Sequence, residues 1–279
     1  MKKLITVLTL LLITASPAFA GLKEGAEAYL KGDYKTALKE FQPVAQLGSP
    51  IAQYAIGDMY FNGFGVKKNY AEAYKWYRKA AKHGLAEAQY NLGYMYDNGL
   101  GKAKDHKKAV MWYRRAAMQG YASAQNSLGI IYFEGRKAPK SYSKAFKWFS
   151  KAAKQGVAES QFNLGLMYQR GYGVKKDYTK SAGWFRKAAY QGHTDAQRAL
   201  GAAYAIGYGV EKDFVLAYTW LDVVNSKQDS KKIKEIMDDL KGAMTPAQLT
   251  EAERLSRKFR AKKKESIWRT MSPFDTPGK

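Results

Sequence analysis

Three histidines, His83, His106 and His193, are the side chains here best suited to proton transfer or metal binding near neutral pH. None stands at the spacing that lets two ligands share one helix face, so each reads as a surface or loop histidine. The chain lacks a Gly-x-Ser-x-Gly elbow, a phosphate loop and a His-Glu-x-x-His pair, and no paired carboxylates recur on one face. It has no cysteine, which removes thiol catalysis, cysteine-rich zinc sites and disulfides. Gly63-Phe64-Gly65-Val66 could suggest a phosphate cradle, but the Gly-x-Gly form recurs in four places and reads as turn chemistry. No catalytic residue, metal ligand or cofactor is expected.

The pattern that must position any site is a repeat. Tryptophan returns at Trp76, Trp112, Trp148, Trp184 and Trp220, each 36 residues after the last. The next position holds Tyr77, Tyr113, Phe149, Phe185 and Leu221, and the first four units continue into paired alanines such as Ala80-Ala81. Upstream, Gly57, Gly93, Gly129, Gly165 and Gly201 recur, each followed by a tyrosine, from Tyr60 to Tyr204. A fixed period of this size means a stacked array.

Each unit reads as two helices. The first, Ala52 to Asn62 in the leading full unit, ends at Gly63, and the second, Tyr70 to His83, ends at Gly84. Capping residues mark the second helix six times, at Asp33, Asn69, Asp105, Ser141, Asp177 and Asp213. The invariant columns fall at helical intervals: Ala52, Ile56, Met59 and Tyr60 on the first helix, Ala73, Trp76, Tyr77, Ala80 and Ala81 on the second. A residue needed at the same place in every unit is a core position, and the tryptophans are assigned there. Gly57, in mid-helix, implies that another helix or a tryptophan ring comes too close for a methyl group. The constant column Gln53, Gln89, Gln125, Gln161 and Gln197 is suited to satisfying backbone groups between units.

The Ala-Gln, Leu-Gly, Met-Tyr, Gly-x-Gly-Val, Trp-Tyr and Ala-Ala-x-x-Gly pattern resembles the Sel-one-like repeat family, relatives of the tetratricopeptide repeats. The resemblance implies an all-α fold: a right-handed α/α superhelical solenoid of antiparallel helix pairs with a 36-residue period. It also implies a role in binding proteins. Lys137, where other units hold a second glycine, Pro139, and His106, where others hold an aromatic, depart from the pattern, so that loop should differ.

Function is expected where the units differ. Columns 54, 58, 61 and 62 of the first helix vary from unit to unit, and in the resembled fold first helices line the concave wall. The candidate partner-binding set is therefore Tyr54, Asp58, Phe61, Tyr90, Tyr94, Asp97, Phe133, Phe162 and Arg170. Each of these rings is equally open to the reading that it packs against the neighbouring unit. The second helices carry one-sided charge, and an alternative polyanion-binding set is Lys75, Lys79, Arg114, Arg115, Lys147, Lys151, Lys154, Lys262, Lys263 and Lys264.

The ends and the charge place the protein. Lys2 and Lys3, an apolar run from Leu4 to Ile13 and a small-x-small site at Ala18-Phe19-Ala20 form a signal peptide over residues 1–20, cut after Ala20. That run is too short for a span of about 20 residues, so the mature chain is expected in the periplasm or secreted, without a transmembrane segment. Residues 21–51 form a tetratricopeptide-like first repeat, and 52–227 the five-unit array. Residues 228–265, with Ile233, Ile236, Met237 and Leu240, then Thr245-Pro246-Ala247-Gln248 and Leu249, Ala252, Leu255 and Phe259, form a helical hairpin cap. Residues 266–279 are a flexible basic tail. The net charge of +23, or +21 once Lys2 and Lys3 are gone, favours anionic envelope surfaces or acidic proteins as partners. Nucleic acid is not expected for an exported chain. The primary expectation is a scaffold binding a protein or peptide in the concave groove, and the alternative a polyanion binder using the outer face and tail.

Overall fold

The computed structural model describes residues 17–261, so Lys2, Lys3, the apolar run and Lys262, Lys263 and Lys264 lie outside the described residues. These residues fold into helices alone, and they divide into two units, one ending at Lys140 and one beginning at Ser141. The first unit holds α1 (Pro17–Lys31), α2 (Tyr34–Gln46), α3 (Pro50–Asn62), α4 (Tyr70–Lys82), α5 (Ala86–Asn98), α6 (His106–Met118) and α7 (Ala122–Glu134). The second holds α8 (Tyr142–Lys154), α9 (Ala158–Arg170), α10 (Tyr178–Tyr190), α11 (Thr194–Ile206), α12 (Phe214–Asn225), α13 (Lys231–Gly242) and α14 (Pro246–Ala261). Within each unit consecutive helices pack in pairs, and the pairs recur with the 36-residue period, as in an α/α solenoid.

Local chemistry fixes where each helix starts and stops. All six capping residues accept a hydrogen bond from an amide of the first turn, for example Asp105 from Lys108 N at 2.9 Å. First helices end on left-handed glycines, Gly63 at φ 81° and Gly99 at φ 70°, which only glycine adopts without cost. The loop then closes on itself: the cap amide of Asn69 donates to Tyr60 O, and that of Asp105 to Tyr96 O, each at 2.9 Å.

The core corrects the tryptophan assignment. Trp76, Trp148 and Trp184 are only half-buried, although Trp112 and Trp220 are buried. The invariably buried side chain is the next one: Tyr77 and Phe149 are 0% and 1% exposed, and Tyr113, Phe185 and Leu221 are buried too. In four units a cation three residues on lies over the tryptophan face, at 4.1 Å for Lys79 on Trp76 and 4.6 Å for Arg115 on Trp112. The tryptophan thus seals the outside of the pair, and its neighbour fills the inside.

That inner ring explains the mid-helix glycine. A Cβ on Gly57 would stand 2.6 Å from the Tyr77 ring, and one on Gly165 2.6 Å from Phe185. The first repeat uses the same device, with Gly25 of α1 against Phe41 of α2 at 2.7 Å. Here α1 is helical from the first described residue, Pro17, and so extends upstream of Glu24, with Gly21 and Gly25 serving close packing inside the helix.

Between pairs runs a glutamine ladder. Gln53, Gln89, Gln125, Gln161 and Gln197 are buried, and each donates through Nε2 to an alanine carbonyl eight residues back, from Ala45 to Ala189. Their Oε1 atoms accept from the end of the second helix of their own pair: Gln89 from Gln119 at 2.8 Å, Gln161 from Gln191 at 2.7 Å, Gln197 from Lys227 Nζ. Gln53 Oε1 alone among the described buried side-chain atoms has no partner, because the donor's place holds His83.

At the C-terminal end the capping box forms as the residues suggest. Thr245 N donates to Gln248 Oε1 at 2.9 Å, and Gln248 N to Thr245 Oγ1 at 3.3 Å. The pairing differs from a free-standing hairpin, since α13 and α14 each pack chiefly on α12. Phe259 stacks on Trp220 at 4.8 Å, and Ile233, Met237 and Leu240 join the same core, while Ile236 is left exposed.

Two outcomes follow. Phe149→Ala should cost about 3–5 kcal/mol and Trp148→Ala distinctly less, about 1–2 kcal/mol, in urea denaturation; the reverse order would put the tryptophan back in the core. His83→Gln should raise stability by about 1 kcal/mol by supplying Gln53 Oε1 with its donor, and an unchanged or lower midpoint would refute the ladder's role.

Candidate functional site

The first-helix face of the first unit is built from α3, α5 and α7. Asp58 projects from α3 and accepts from Tyr29 Oη at 2.9 Å and Tyr77 Oη at 3.3 Å. Burial, and then the Asp58 charge, push the Tyr29 and Tyr77 phenols well above their ordinary range, so both stay protonated donors. Asp58 is thus a carboxylate held by neutral phenols, and it forms no ion pair among the described residues.

The candidate rings separate by burial. Tyr54 lies 5.6 Å from the Tyr77 ring, and Tyr90 lies 5.5 Å from Tyr113 and 5.3 Å from Tyr121. In the second unit Phe162 lies 5.7 Å from Phe185 and stacks on His193 at 4.8 Å. This column therefore packs largely against its own unit. Phe61 is half-buried, edge-on to Tyr70 at 5.2 Å and to Tyr94 at 6.4 Å, and Phe133 is half-buried as well. Tyr94 is the open one, 42% exposed. Arg170 is exposed at the end of α9, in the second unit.

Asp97 joins two departures that the sequence showed separately. It pairs with His106 Nδ1 at 2.7 Å and with Lys137 Nζ, which comes from the loop after α7. Where other units have an aromatic after the cap, that ring stacks on the following loop, as Tyr34 does on Phe64 at 4.7 Å and Tyr142 on Tyr172 at 4.4 Å. Around Asp97 an ion cluster stands in that place. His193 likewise has a structural post, accepting from Ala196 N through Nδ1 and meeting Glu159 through Nε2 at 3.0 Å. That contact holds the Glu159 carboxyl below its usual range.

The two helix faces of the first unit differ in charge, a signal that comparing whole helices would have found. The first helices α3, α5 and α7 carry Asp58, Glu87, Asp97 and Glu134 and no lysine or arginine. The second helices carry the bases. Several of these are already engaged: Lys75 with Glu72 at 2.6 Å, Lys79 and Arg115 over tryptophan, and Arg114 with Tyr132 Oη at 2.8 Å. In the second unit Lys147 and Lys154 are exposed, and Lys151 lies 5.0 Å from the Trp148 ring. Lys75, Trp76, Arg78, Lys79 and Lys82 line a shallow hollow of about 280 Å³ on α4, together with Tyr74 and one carboxylate, Glu72. No group of three His, Asp or Glu residues among the described residues is arranged to hold a metal ion.

Stacked helix pairs, with interior columns that recur from unit to unit and variable columns on the first helices, define an α/α repeat protein. Residues 50–85, 86–121, 122–157, 158–193 and 194–222 each match the Sel1 repeat, and the chain belongs to that family. Among solved structures it is similar to a Sel1 repeat protein from Oxalobacter formigenes, at 34% identity and TM-score 0.70, over 80% of this chain and 87% of that one. It also matches c5321, a protective antigen of uropathogenic Escherichia coli with an SLR fold, at 28% identity and TM-score 0.42, over 94% and 74% of the two chains. A sel1 repeat protein from Klebsiella pneumoniae matches at 22% identity and TM-score 0.44, over 73% and 99%. No curated protein matches. Proteins built from Sel1 repeats generally act as scaffolds for protein–protein interaction rather than as enzymes. Among the described residues no helix is long and apolar enough to cross a membrane.

Proposed function

We propose that the chain is an exported, non-catalytic scaffold that binds a protein or peptide on the first-helix face of its first unit. The observation that carries this reading is the charge segregation: in a chain of net charge +23, the first helices of that face carry aromatic rings and four carboxylates and no lysine or arginine, two of the four, Asp97 and Glu134, being paired with Lys137 and Arg136 of the following loop. Rings beside desolvated carboxylates suit a partner segment with aromatic or aliphatic anchors and basic groups. Tyr94 is the exposed anchor, Phe61 backs it, and Asp58 offers a carboxylate not neutralised by an internal cation. Tyr54 and Tyr90 support the wall from within. Export is supported by the signal-like start, with Lys2 and Lys3, the apolar run and the small-x-small site at Ala18-Phe19-Ala20.

A second reading, binding of an anionic surface, is favoured by the Lys75–Lys82 hollow with Trp76 in its wall. The two readings separate cleanly. A photo-crosslinker at position 98, exposed one turn on from Tyr94, in the envelope of the producing cell should capture a protein, and Tyr94→Ala should weaken affinity for that protein about ten- to thirtyfold. Because Tyr94 is exposed, the melting transition should move by no more than about 0.5 kcal/mol. Capture that survives Tyr94→Ala unweakened would refute the assigned face.

On the second reading, retention on heparin at low salt should fade near physiological ionic strength, where screening reaches about 8 Å. It should also be lost with Lys75→Glu, Arg78→Glu and Lys82→Glu together. Retention indifferent to salt and to those reversals would end that reading.

A further inference from the structure

The second unit contains a cavity that the repeat does not require. It measures about 510 Å³ and lies between α11 and α13, with Leu221 of α12 and Ile233 of α13 as its floor. That volume falls in the range of about 300–1,000 Å³ typical of ligand-binding clefts.

Its origin can be read by comparing units. The column holding Tyr94, Ile130 and Leu166 holds Ala202 in the fifth unit, and the column of Asp97, Phe133 and Gln169 holds Ala205. Both alanines line the cavity. Bulk that fills this face elsewhere has been removed here, and Leu221 replaces the ring of the other units.

A second departure runs the opposite way. The column of Asn62, Asn98, Glu134 and Arg170 is polar in four units, yet the fifth places Ile206 there. Ile206 is 57% exposed and Ile236, across the cavity, is 37% exposed, so two branched aliphatic side chains stand open at the mouth. Packing within the unit does not account for them. The strip continues past Ile206 to the exposed ring of Tyr208.

The rim carries one sign of charge. Arg198 stands on the α11 side, in an exposed ion pair with Asp195 at 3.0 Å, and Lys232 stands on the α13 side with no ion pair among the described residues. No aspartate or glutamate lines the cavity.

We infer that this cavity is a docking site for an acidic–apolar peptide segment of a partner protein, one that seats large apolar side chains between Ile206 and Ile236 and sets a carboxylate against Arg198 and Lys232. Charge complementarity at the rim selects the anionic group, and the alanine-for-bulk exchange makes room for the apolar ones. The site is separate from the first-helix face of the first unit and does not depend on it.

The test is selection of peptides from a displayed library on the full chain, with affinities of the enriched peptides then measured by fluorescence polarisation. Enriched sequences should pair two large apolar residues with net negative charge. Ala202→Phe, which refills the cavity from an exposed position, should weaken their binding on the order of tenfold or more. Ile206→Asn, which restores the residue type of the other units at an exposed position, should weaken it severalfold, and Lys232→Glu should do the same most clearly at low salt. Tyr94→Ala should leave this binding unchanged, which distinguishes a failure here from a failure of the first-unit face. No enrichment, enrichment of cationic peptides, or binding indifferent to all three cavity variants would overturn the proposal. Binding of dodecanoate that is abolished by Ala202→Phe, with no peptide enriched, would overturn it in favour of a small amphiphile.

Discussion

One contact governs the geometry of four of the helix pairs described: a buried ring laid against a glycine in the middle of the facing helix. With Gly57 beneath Tyr77, Gly93 beneath Tyr113 and Gly165 beneath Phe185, a methyl group would meet the ring at 2.6–2.8 Å, closer than real carbon contacts allow. Glycine in a helix interior costs about 1 kcal/mol against alanine, so the exchange is worthwhile only if close approach returns more. It does so by letting the ring be fully enclosed, with paired alanines such as Ala80 and Ala81 buried alongside. With the helix separation set in this way, the same loop closure and the same glutamine ladder can be built unit after unit.

The period, the helix starts and stops and the glutamine column were legible because each rests on local chemistry that any unit repeats. Which of two adjacent aromatics lies inside was not legible. Trp76 and Tyr77 recur with equal regularity, and they lie on neighbouring parts of the helix surface. The choice is made by the partner helix, whose glycine faces Tyr77, and by Lys79, whose charge can cover Trp76 only while that ring stays near water. Invariance marks a position as structural without saying whether it fills the pair or seals it.

The candidate site was legible in outline and not in detail. Variable columns marked out a face, but variation does not report depth. The column of Tyr54, Tyr90, Asn126 and Phe162 varies in identity, and yet Tyr54 and Tyr90 lean on Tyr77 and Tyr113, whereas Tyr94, one turn on from Tyr90, is open. His106 and Lys137 were visible as separate exceptions. Their meaning lies in Asp97, which stands between them and turns two losses of stacking into one ion cluster. Sequence spacing could not supply that link, because Lys137 is 40 residues from its partner.

The division of labour between the two helices of a pair explains where new properties accumulate. The second helix meets both the facing glycine and the sealing cation, so its inner columns have little freedom. The first helix meets the ring along one stripe only, and its opposite side is constrained by solubility alone. In the first unit that freedom holds rings and carboxylates, and in the fifth repeat it holds alanines and Ile206. The fifth repeat is also where the governing contact is loosest: Leu221 replaces the ring, and a methyl on Gly201 would meet it at 3.1 Å rather than 2.6 Å. A flexible aliphatic in place of a flat ring leaves the facing helix less tightly determined. Relaxation of the packing rule and the opening of a cavity at Ala202 and Ala205 therefore occur in the same repeat because the first makes room for the second.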